Sequence, residues 1–210
     1  MEKELAIDPQ HRGKRADATA RLRDDVLAAA LDCFSERGVE HTAVAEIGRR
    51  AGVSIGSLYH HFDSKNGIAE ALYLRSLGEL NAGLGLRLDR CRSARTAVRS
   101  VVLYYAEWVT ENHQLASFLY AGDVVFSDAA RAQRQAMYRR YIRGVFERFA
   151  GYVERGEMRR LPLETYVPLI SGPIQEYTAR WLAGETRQSP EAVKNLFADA
   201  AWSAVKTPTP

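Results

Sequence analysis

The chain has 210 residues, two cysteines and a formal net charge of +3. Its length is sufficient for a hydrophobic core without disulfides, and its small net charge gives no evidence by itself of a nucleic-acid partner. Cys33 and Cys91 belong to no Cys/His cluster at metal-ligand spacing, and we find no signal-peptide pattern and no apolar run long enough to cross a bilayer. We therefore expect a cytoplasmic protein with no metal site, no cofactor and no membrane anchor.

The first 17 residues form a predicted flexible basic arm. Over His11–Arg23 the only acid is Asp17, against the basic residues Arg12, Lys14, Arg15, Arg21 and Arg23. Two interpretations stay open: the arm follows DNA phosphates or enters a minor groove, or it is a solvated tail.

Apolar residues at helical spacing predict an all-α fold. The first helix is expected over about Thr19–Arg37, where Cys33 is a buried thiol, and Gly38 ends it as a C-cap. The second helix opens at Thr42 or Ala43, and Val44, Ile47 and Ala51 form its packing face. Gly52 supplies the permissive backbone of a tight turn.

A short helix follows this turn, with Ser54 as its N-cap and residues 55–60 in its body. The arrangement is typical of a helix-turn-helix, whose second helix is short enough to lie in a DNA major groove. The segment Ala51–Lys65, Ala-Gly-Val-Ser-Ile-Gly-Ser-Leu-Tyr-His-His-Phe-Asp-Ser-Lys, resembles the signature of TetR-family (tetracycline-repressor-type) transcriptional regulators. The resemblance covers residues 18–65 and implies a three-helix DNA-binding head, followed over residues 66–210 by a larger helical body for effector binding and dimerisation.

Several residues match family positions that meet DNA. Tyr59 suits a sugar or thymine methyl, His60 suits a phosphate, and Lys65 offers an ammonium at a positive helix end. The predicted DNA-binding set is Thr42, Ser54, Ile55, Gly56, Ser57, Tyr59, His60 and Lys65. Leu58 and Phe62 are expected in the core. His60, His61 and Asp63 do not form a metal cluster, because adjacent helical residues diverge by about 100°.

Ile55 departs from related proteins, which often carry Lys or Arg at this position. An apolar side chain cannot bond guanine but contacts the methyl group of thymine. We therefore expect fewer guanine contacts and a preference for A·T pairs. Gly56 leaves room for the backbone to approach the duplex.

Six further helices are predicted in the body. The first follows a Ser64 cap and runs from Lys65 towards Leu88, with Gly83 and Gly85 marking a flexible point or a close crossing. The next three cover 94–111, 114–120 and 128–155, the last capped by Asp128. One helix kinked at Ser171-Gly172-Pro173 covers 164–183, and Ser189 and Pro190 begin the last, with fraying after Lys206.

The body is rich in aromatic residues, which line the core in most helical proteins but collectively favour an apolar pocket here. The expected effector-binding set is Tyr105, Trp108, Phe118, Tyr141, Gln175 and Tyr177. Nine arginines against three acids lie between Arg131 and Arg160; they attract an anionic ligand or form a solvated face.

The resemblance implies a homodimer built by the last two large helices, which sets two recognition helices over an inverted-repeat operator. The expected interface residues are Ile170, Ile174, Trp181, Val193, Leu196, Phe197 and Ala200. The predicted function is a repressor released from DNA when a small, largely apolar or aromatic effector binds the body. The alternative is a regulator without such an effector, acting as an activator or through a protein partner. An enzyme is not expected, because no nucleophile, base and oxyanion set is recognisable.

Overall fold

A computed structural model describes the backbone of residues 9–208 and the side chains of residues 17–208. Across this part of the chain the regular structure is helical, and the predicted all-α class is confirmed. The helices are α1 Pro9–His41, α2 Val44–Ala51, α3 Ile55–Phe62, α4 Lys65–Leu88, α5 Ala94–Glu111, α6 His113–Ala121, α7 Asp128–Glu154, α8 Leu163–Ile170, α9 Gly172–Leu182 and α10 Pro190–Val205.

The chain divides into two compact units. The first extends to Leu72 and includes Asp123–Val125, and the second comprises Tyr73–Gly122 and the chain from Phe126 onward. Helix α4 contributes its first turns to one unit and the remainder to the other. The first unit continues beyond the predicted head boundary at residue 65, and the early α4 residues Ile68, Ala69 and Leu72 are buried.

Helix α1 begins at Pro9, well before the predicted start at Thr19, so residues 9–17 of the predicted flexible arm are helical. Pro9 suits the first turn of a helix, and the following Gln, Lys, Arg and Ala residues favour helix. Residues 1–8 of the predicted arm lie outside the described residues, as do the side chains of Arg12, Lys14 and Arg15. The predicted break at Gly38 is confirmed, since this residue has a φ of 76° inside α1.

The core of the first unit contains Ile47 from α2 and Leu58 and Phe62 from α3, each nearly inaccessible to solvent, as predicted. Helix α2 approaches the following turn closely at Gly48. A Cβ atom there would lie 2.7 Å from the carbonyl oxygen of Val53 and 3.3 Å from the Leu58 side chain. A larger residue at position 48 would therefore push α2 away from the turn.

In the second unit α5 packs mainly against α10, and α8 and α9 also contact α10. Val98, Val102 and Phe149 lie in its core together with Ile174. The hydroxyl groups of Ser93 and Ser189 cap α5 and α10. Helix α7 is capped by Ser127, whose Oγ accepts from the Ala130 N–H at 3.2 Å, and not by Asp128 as predicted; Asp128 is the first helical residue.

The predicted kinked helix over 164–183 is two helices, α8 and α9, which meet at Ser171. Pro173 lies in the first turn of α9. Proline has no backbone N–H, and its ring clashes with the preceding turn of a helix. The first turn of a new helix therefore accommodates Pro173 better than a helix interior does.

Of the two interpretations of Gly83, the contacts favour a close crossing, because a Cβ atom there would overlap the Tyr104 hydroxyl. Gly85 has open space around the corresponding position. Gly83 therefore permits Tyr104 of α5 to approach α4, whereas Gly85 makes no such close contact.

Fraying directly after Lys206 is not observed. Lys206 forms an isolated antiparallel bridge with Met158, and the Thr207 N–H donates to the Glu157 carbonyl oxygen at 3.3 Å. The Glu157 side chain accepts from the Ala94 N–H at 2.9 Å, at the start of α5. Glu157 thus connects the start of α5 with the chain beyond α10.

Within the described range, no helix combines the length and the apolar character needed to cross a membrane. Cys33 is buried, as predicted, and burial raises the pKa of its thiol. Both cysteines are free.

Candidate nucleic-acid interface and ligand groove

The turn between α2 and α3 has the predicted geometry. Gly52 adopts a left-handed conformation with a φ of 67° and closes α2. Ser54 caps α3, and its Oγ accepts from the Ser57 N–H at 3.2 Å. Ser64 caps α4 in the same way, accepting from the Gly67 N–H at 2.9 Å. These contacts fix the starts of α3 and α4 by local interactions.

One face of α3 is buried and the other is open to solvent. Ile55 and Tyr59 are 47% and 48% exposed, which is unusual for large apolar side chains, and His60 is exposed beside them. Gly56 is also exposed, with open space where a Cβ atom would lie. Because residues three and four apart share a helix face, Ile55, Gly56, Tyr59 and His60 form a continuous surface. Ser54 is exposed and Ser57 is half-buried at its edge.

Thr42 does not belong to this surface. Its side chain is 3% exposed, and its hydroxyl lies 2.7 Å from the Gly38 carbonyl oxygen and 3.1 Å from that of Cys33. Ala43 is the N-cap residue of α2, without a side-chain cap. The Thr42 side chain is therefore not available for the predicted DNA contact, and of the two alternatives for the start of α2 the structure has Ala43. The Thr42 hydroxyl instead binds carbonyl groups at the end of α1.

Lys65 has a structural partner that the sequence did not indicate. Its ammonium donates to the carbonyl oxygen of Glu40 at 2.6 Å, from the first position of α4. An ammonium has three donors, so this bond leaves two for an anion such as a phosphate.

A network of charged side chains connects α1 and α2. Arg50 donates to both carboxylate oxygens of Glu36 at 2.7 Å and, through Nε, to Glu46 at 2.9 Å. Arg49 also donates to Glu46, and these two arginine contacts lower the pKa of Glu46 to about 2. Paired guanidinium–carboxylate bonds are directional, so the network orients α2 on α1.

Arg23 and Gly67 hold α3 and the α3–α4 junction, which is a role that the sequence did not indicate for either residue. Arg23 donates from Nη1 to the His61 carbonyl oxygen at 2.8 Å, and its guanidinium lies 4.4 Å from the centre of the Phe62 ring. Its spacing from Val26 and Ala30 places it on the buried face of α1, which was the available signal. At Gly67 a Cβ atom would overlap the Phe62 carbonyl oxygen, so this junction requires glycine.

The His60 and His61 rings meet edge to face with centres 5.0 Å apart. Among the side chains that the structure describes, no group of three His, Cys, Asp or Glu residues could hold a metal ion.

The second unit contains a groove of about 320 Å³ between residues of α4 and α7. Of the six predicted effector residues only Tyr141 lines it, and burial raises the pKa of the Tyr141 phenol to about 12. The groove residues are Gly78, Asn81, Ala82, Leu84, Gly85, Leu88, Met137, Arg140, Tyr141, Gly144, Val145 and Arg148. A wider and more open cleft of about 720 Å³ has an Asp128–Arg131 ion pair in its wall.

The other five predicted effector residues do not line this groove. Tyr105 and Tyr120 pair through their hydroxyl groups, and the Tyr120 hydroxyl also donates to the Gln175 carbonyl oxygen. Phe118 is buried, and the Tyr177 hydroxyl donates to the carbonyl oxygen of Gln188. The α5 residue Trp108 is half-buried. Aromatic residues here mainly pack and bridge helices, which is their commoner role.

The predicted interface residues separate into three groups. Ile170 and Ile174 are core residues of the unit itself and cannot offer a surface to a second copy, so their assignment is wrong. Leu196 is 71% exposed on α10, and Ala200, one turn further, is also exposed. Trp181, Val193 and Phe197 are half-buried; Trp181 packs on His113 and Phe197 on Tyr177.

The fold and the first unit define an all-α protein of the helix-turn-helix class, with its second helix displayed at the surface. Residues 26–72 match the family model of bacterial regulatory proteins, tetR family. This segment of the chain is thus of the tetR type, and it ends at Leu72, where the main stretch of the first compact unit ends.

Two curated relatives come from Mycolicibacterium smegmatis. The transcriptional activator FasR is 30% identical over 122 residues, covering 58% of this chain and 55% of FasR. The transcriptional repressor KstR2 is 30% identical over 112 residues, covering 53% of this chain and 51% of KstR2. The chain thus spans about half the length of these relatives, and one activates while the other represses.

The fold over most of the chain is similar to that of FadR from Bacillus subtilis, solved in complex with stearoyl-CoA. The TM-score is 0.74 at 19% identity, covering 86% of this chain and 97% of FadR. At 19% identity this similarity is evidence for the fold alone.

Proposed function

We propose that the chain is a transcriptional regulator that binds an inverted-repeat operator as a homodimer and releases it when a small, largely apolar effector occupies the second unit. The observation that carries the proposal is the exposed surface of α3 formed by Ile55, Gly56, Tyr59 and His60. Large apolar side chains at a protein surface mark an interaction site when they lie together.

This surface has the chemistry of a major-groove reader. Ile55 offers methyl groups to thymine, and Gly56 allows the backbone to come close to the duplex. Tyr59 and His60 carry donors for phosphate oxygens, and the Lys65 ammonium has two donors left for the same purpose. Phosphate contacts fix the register of the helix, and the Ile55 contact contributes sequence preference.

The proposed dimer uses the exposed side of α10 and the neighbouring helix α9. Leu196 and Ala200 lie one turn apart on α10, with Val193 half-buried on the preceding turn. A twofold dimer carries two recognition helices, and their half-sites are separated by about 34–36 Å or a multiple of that distance. This geometry requires an inverted repeat in the operator.

The groove along α4 and α7 is the proposed effector site. Leu84, Leu88, Met137 and Val145 give it apolar walls, and its volume suits a small molecule. Effector binding lowers operator affinity only if the effector prefers a conformation that binds DNA less well. An apolar groove of this size favours this function over regulation without an effector.

The first test is fluorescence-anisotropy titration of the full chain with DNA from upstream of its own gene, at fixed salt and with unrelated competitor DNA. Tyr59→Ala should weaken specific binding at least tenfold. Tyr138→Ala is the matched control, because Tyr138 is as exposed but lies in the second unit. Equal losses in both variants, or no enriched site in a selection from random duplexes, would refute DNA reading by α3.

A further inference from the structure

The floor of the groove along α4 and α7 is made of very small residues. Gly78, Ala82 and Gly85 follow one another at about one helical turn on α4, and Gly144 lies on α7. A Cβ atom at Gly85 would meet nothing within 4 Å, and one at Gly78 would reach only the Met137 methyl at 3.5 Å. The absence of side chains here leaves an elongated space rather than a compact cavity.

The two helices run in the same direction along this space. Met137 lies next to Gly78 near one end, and Arg148 lines the other end, where it pairs with Asp89. From Gly78 to Leu88 the floor measures about 15 Å at a rise of 1.5 Å per residue. Leu84, Leu88 and Val145 concentrate at the Asp89 end, which makes that end the more apolar one.

The groove is cationic as well as apolar. Its lining includes Arg140 and Arg148 and no carboxylate. Arg148 is already engaged, since its Nε donates to Asp89 at 2.9 Å and its Nη1 to the Gly144 carbonyl oxygen at 2.8 Å. Arg140 is exposed and has no hydrogen bond or ion pair within residues 17–208. Asn81 and Tyr141 add hydrogen-bonding groups to the same lining.

We infer that the groove binds a single-chain amphiphile with an anionic head group, a carboxylate or a phosphate monoester. The head group pairs with Arg140 near the Gly78 end, and the alkyl chain follows the glycine floor towards Leu88. A guanidinium forms paired bonds with either head group, and the apolar end removes the chain from water. This inference names the ligand class of the effector site and rests on the proposed function.

The test is isothermal titration calorimetry of the full chain with four ten-carbon probes below their micelle concentrations: decanoate, decyl phosphate, 1-decanol and decyltrimethylammonium. The variants are Arg140→Gln, Arg139→Gln and Gly85→Leu. Arg139 is the matched control, because it is the neighbouring exposed arginine on α7 and does not line the groove. Gly85→Leu fills the floor without an initial steric overlap at its Cβ position.

We expect both anionic probes to bind at least tenfold more tightly than the alcohol, and the trimethylammonium probe to bind least. Arg140→Gln should abolish the preference for anionic probes while leaving the affinity for 1-decanol unchanged. Arg139→Gln should preserve this preference. Gly85→Leu should weaken the binding of all four probes. Equal affinity for the anionic and neutral probes, or equal losses in the two arginine variants, would overturn the inference. If only neutral or cationic probes bind and release operator DNA, the effector function stands and the anionic assignment fails. If no probe binds the wild type, the assignment fails, and an operator-release screen with other compounds tests the effector function separately.

Discussion

The guanidinium of Arg23 and the backbone carbonyl of His61 are joined by a hydrogen bond of 2.8 Å, although the two residues are 38 positions apart. The carbonyl belongs to the last turn of α3, where helical carbonyl groups lack partners within the helix. Arg23 therefore attaches the end of the proposed recognition helix to α1, and the Phe62 ring beneath the guanidinium holds the arginine in place.

Arg23→Met should loosen α3 while keeping most of the side-chain volume. A hydrogen bond to a charged group contributes about 1.5–3 kcal/mol, and partial exposure places the expected loss at the lower end of that range. Hydrogen exchange of the α3 amides should become faster and operator affinity should fall. Arg21→Met, at an exposed position two residues away on the opposite side of α1, is the control; a similar acceleration there would contradict the positioning role.

Gly67→Ala should destabilise the α3–α4 junction, because the added methyl group would overlap the Phe62 carbonyl oxygen. Overpacking of this kind costs about 1–3 kcal/mol. Gly85→Ala makes the same chemical change in the middle of the same helix with open space around it, and should stabilise by about 0.5–1 kcal/mol. Opposite shifts of the thermal midpoints are expected, and shifts of the same sign would rule out the steric explanation.

The charge network around Glu46 should make the first unit sensitive to acid. The folded-state pKa of Glu46, about 2, lies below the ordinary value of 4.5, so the unfolded chain binds more protons between these values. The stabilisation is present above about pH 4.5 and is lost as the pH falls towards 2. Thermal midpoints measured from pH 6 to pH 2 should fall less steeply for Glu46→Gln than for the wild type. Parallel curves would show that the arginine contacts do not persist in solution.

Ile55→Arg should change the sequence that the protein prefers. A guanidinium forms two bonds with guanine, which gives about 1–3 kcal/mol of discrimination that isoleucine cannot provide. Selection from random duplexes should return A·T pairs opposite Ile55 in the wild type and guanine in the variant. Leu86→Arg adds the same charge at an exposed position of the second unit and should leave the selected sequence unchanged. An unaltered preference in Ile55→Arg would remove Ile55 from the set of base-contacting residues.

Leu196→Glu should dissociate the proposed homodimer, because a charge in the apolar centre of an interface is left without a partner. Sedimentation velocity should then detect monomers at concentrations where the wild type is dimeric. Leu86→Glu provides a control at a similarly exposed leucine. A dimer that tolerates Leu196→Glu would place the interface elsewhere.

The helix-turn-helix could be predicted from sequence because its signals are local. The Ser54 and Ser64 caps, the Gly52 turn and the buried Leu58 and Phe62 all depend on residues a few positions apart. The role of Thr42 could not be predicted in the same way, because a hydroxyl at the start of a helix can contact DNA or bind carbonyl groups of the preceding helix. In the structure the Thr42 hydroxyl binds carbonyl groups of α1.

The second unit was less predictable because helical periodicity identifies an apolar face and not what covers it. Ile170 and Ile174 have the spacing of interface residues, yet other helices of the same chain bury them. The groove could not be predicted for a related reason, because the glycines of α4 and α7 form it only when the two helices lie side by side. The Arg23–His61 contact likewise needed the tertiary fold.

The attachment of Thr207 to Glu157 matters to anyone shortening or tagging this chain. A stop codon after Val205 would remove Lys206, which pairs with Met158, and Thr207, which donates to the Glu157 carbonyl oxygen. The side chain of Glu157 accepts from the Ala94 N–H in the first turn of α5. Shortened versions should therefore retain Thr207. A fused peptide at this terminus needs a spacer before it, so that its movement is not transmitted to the core helices.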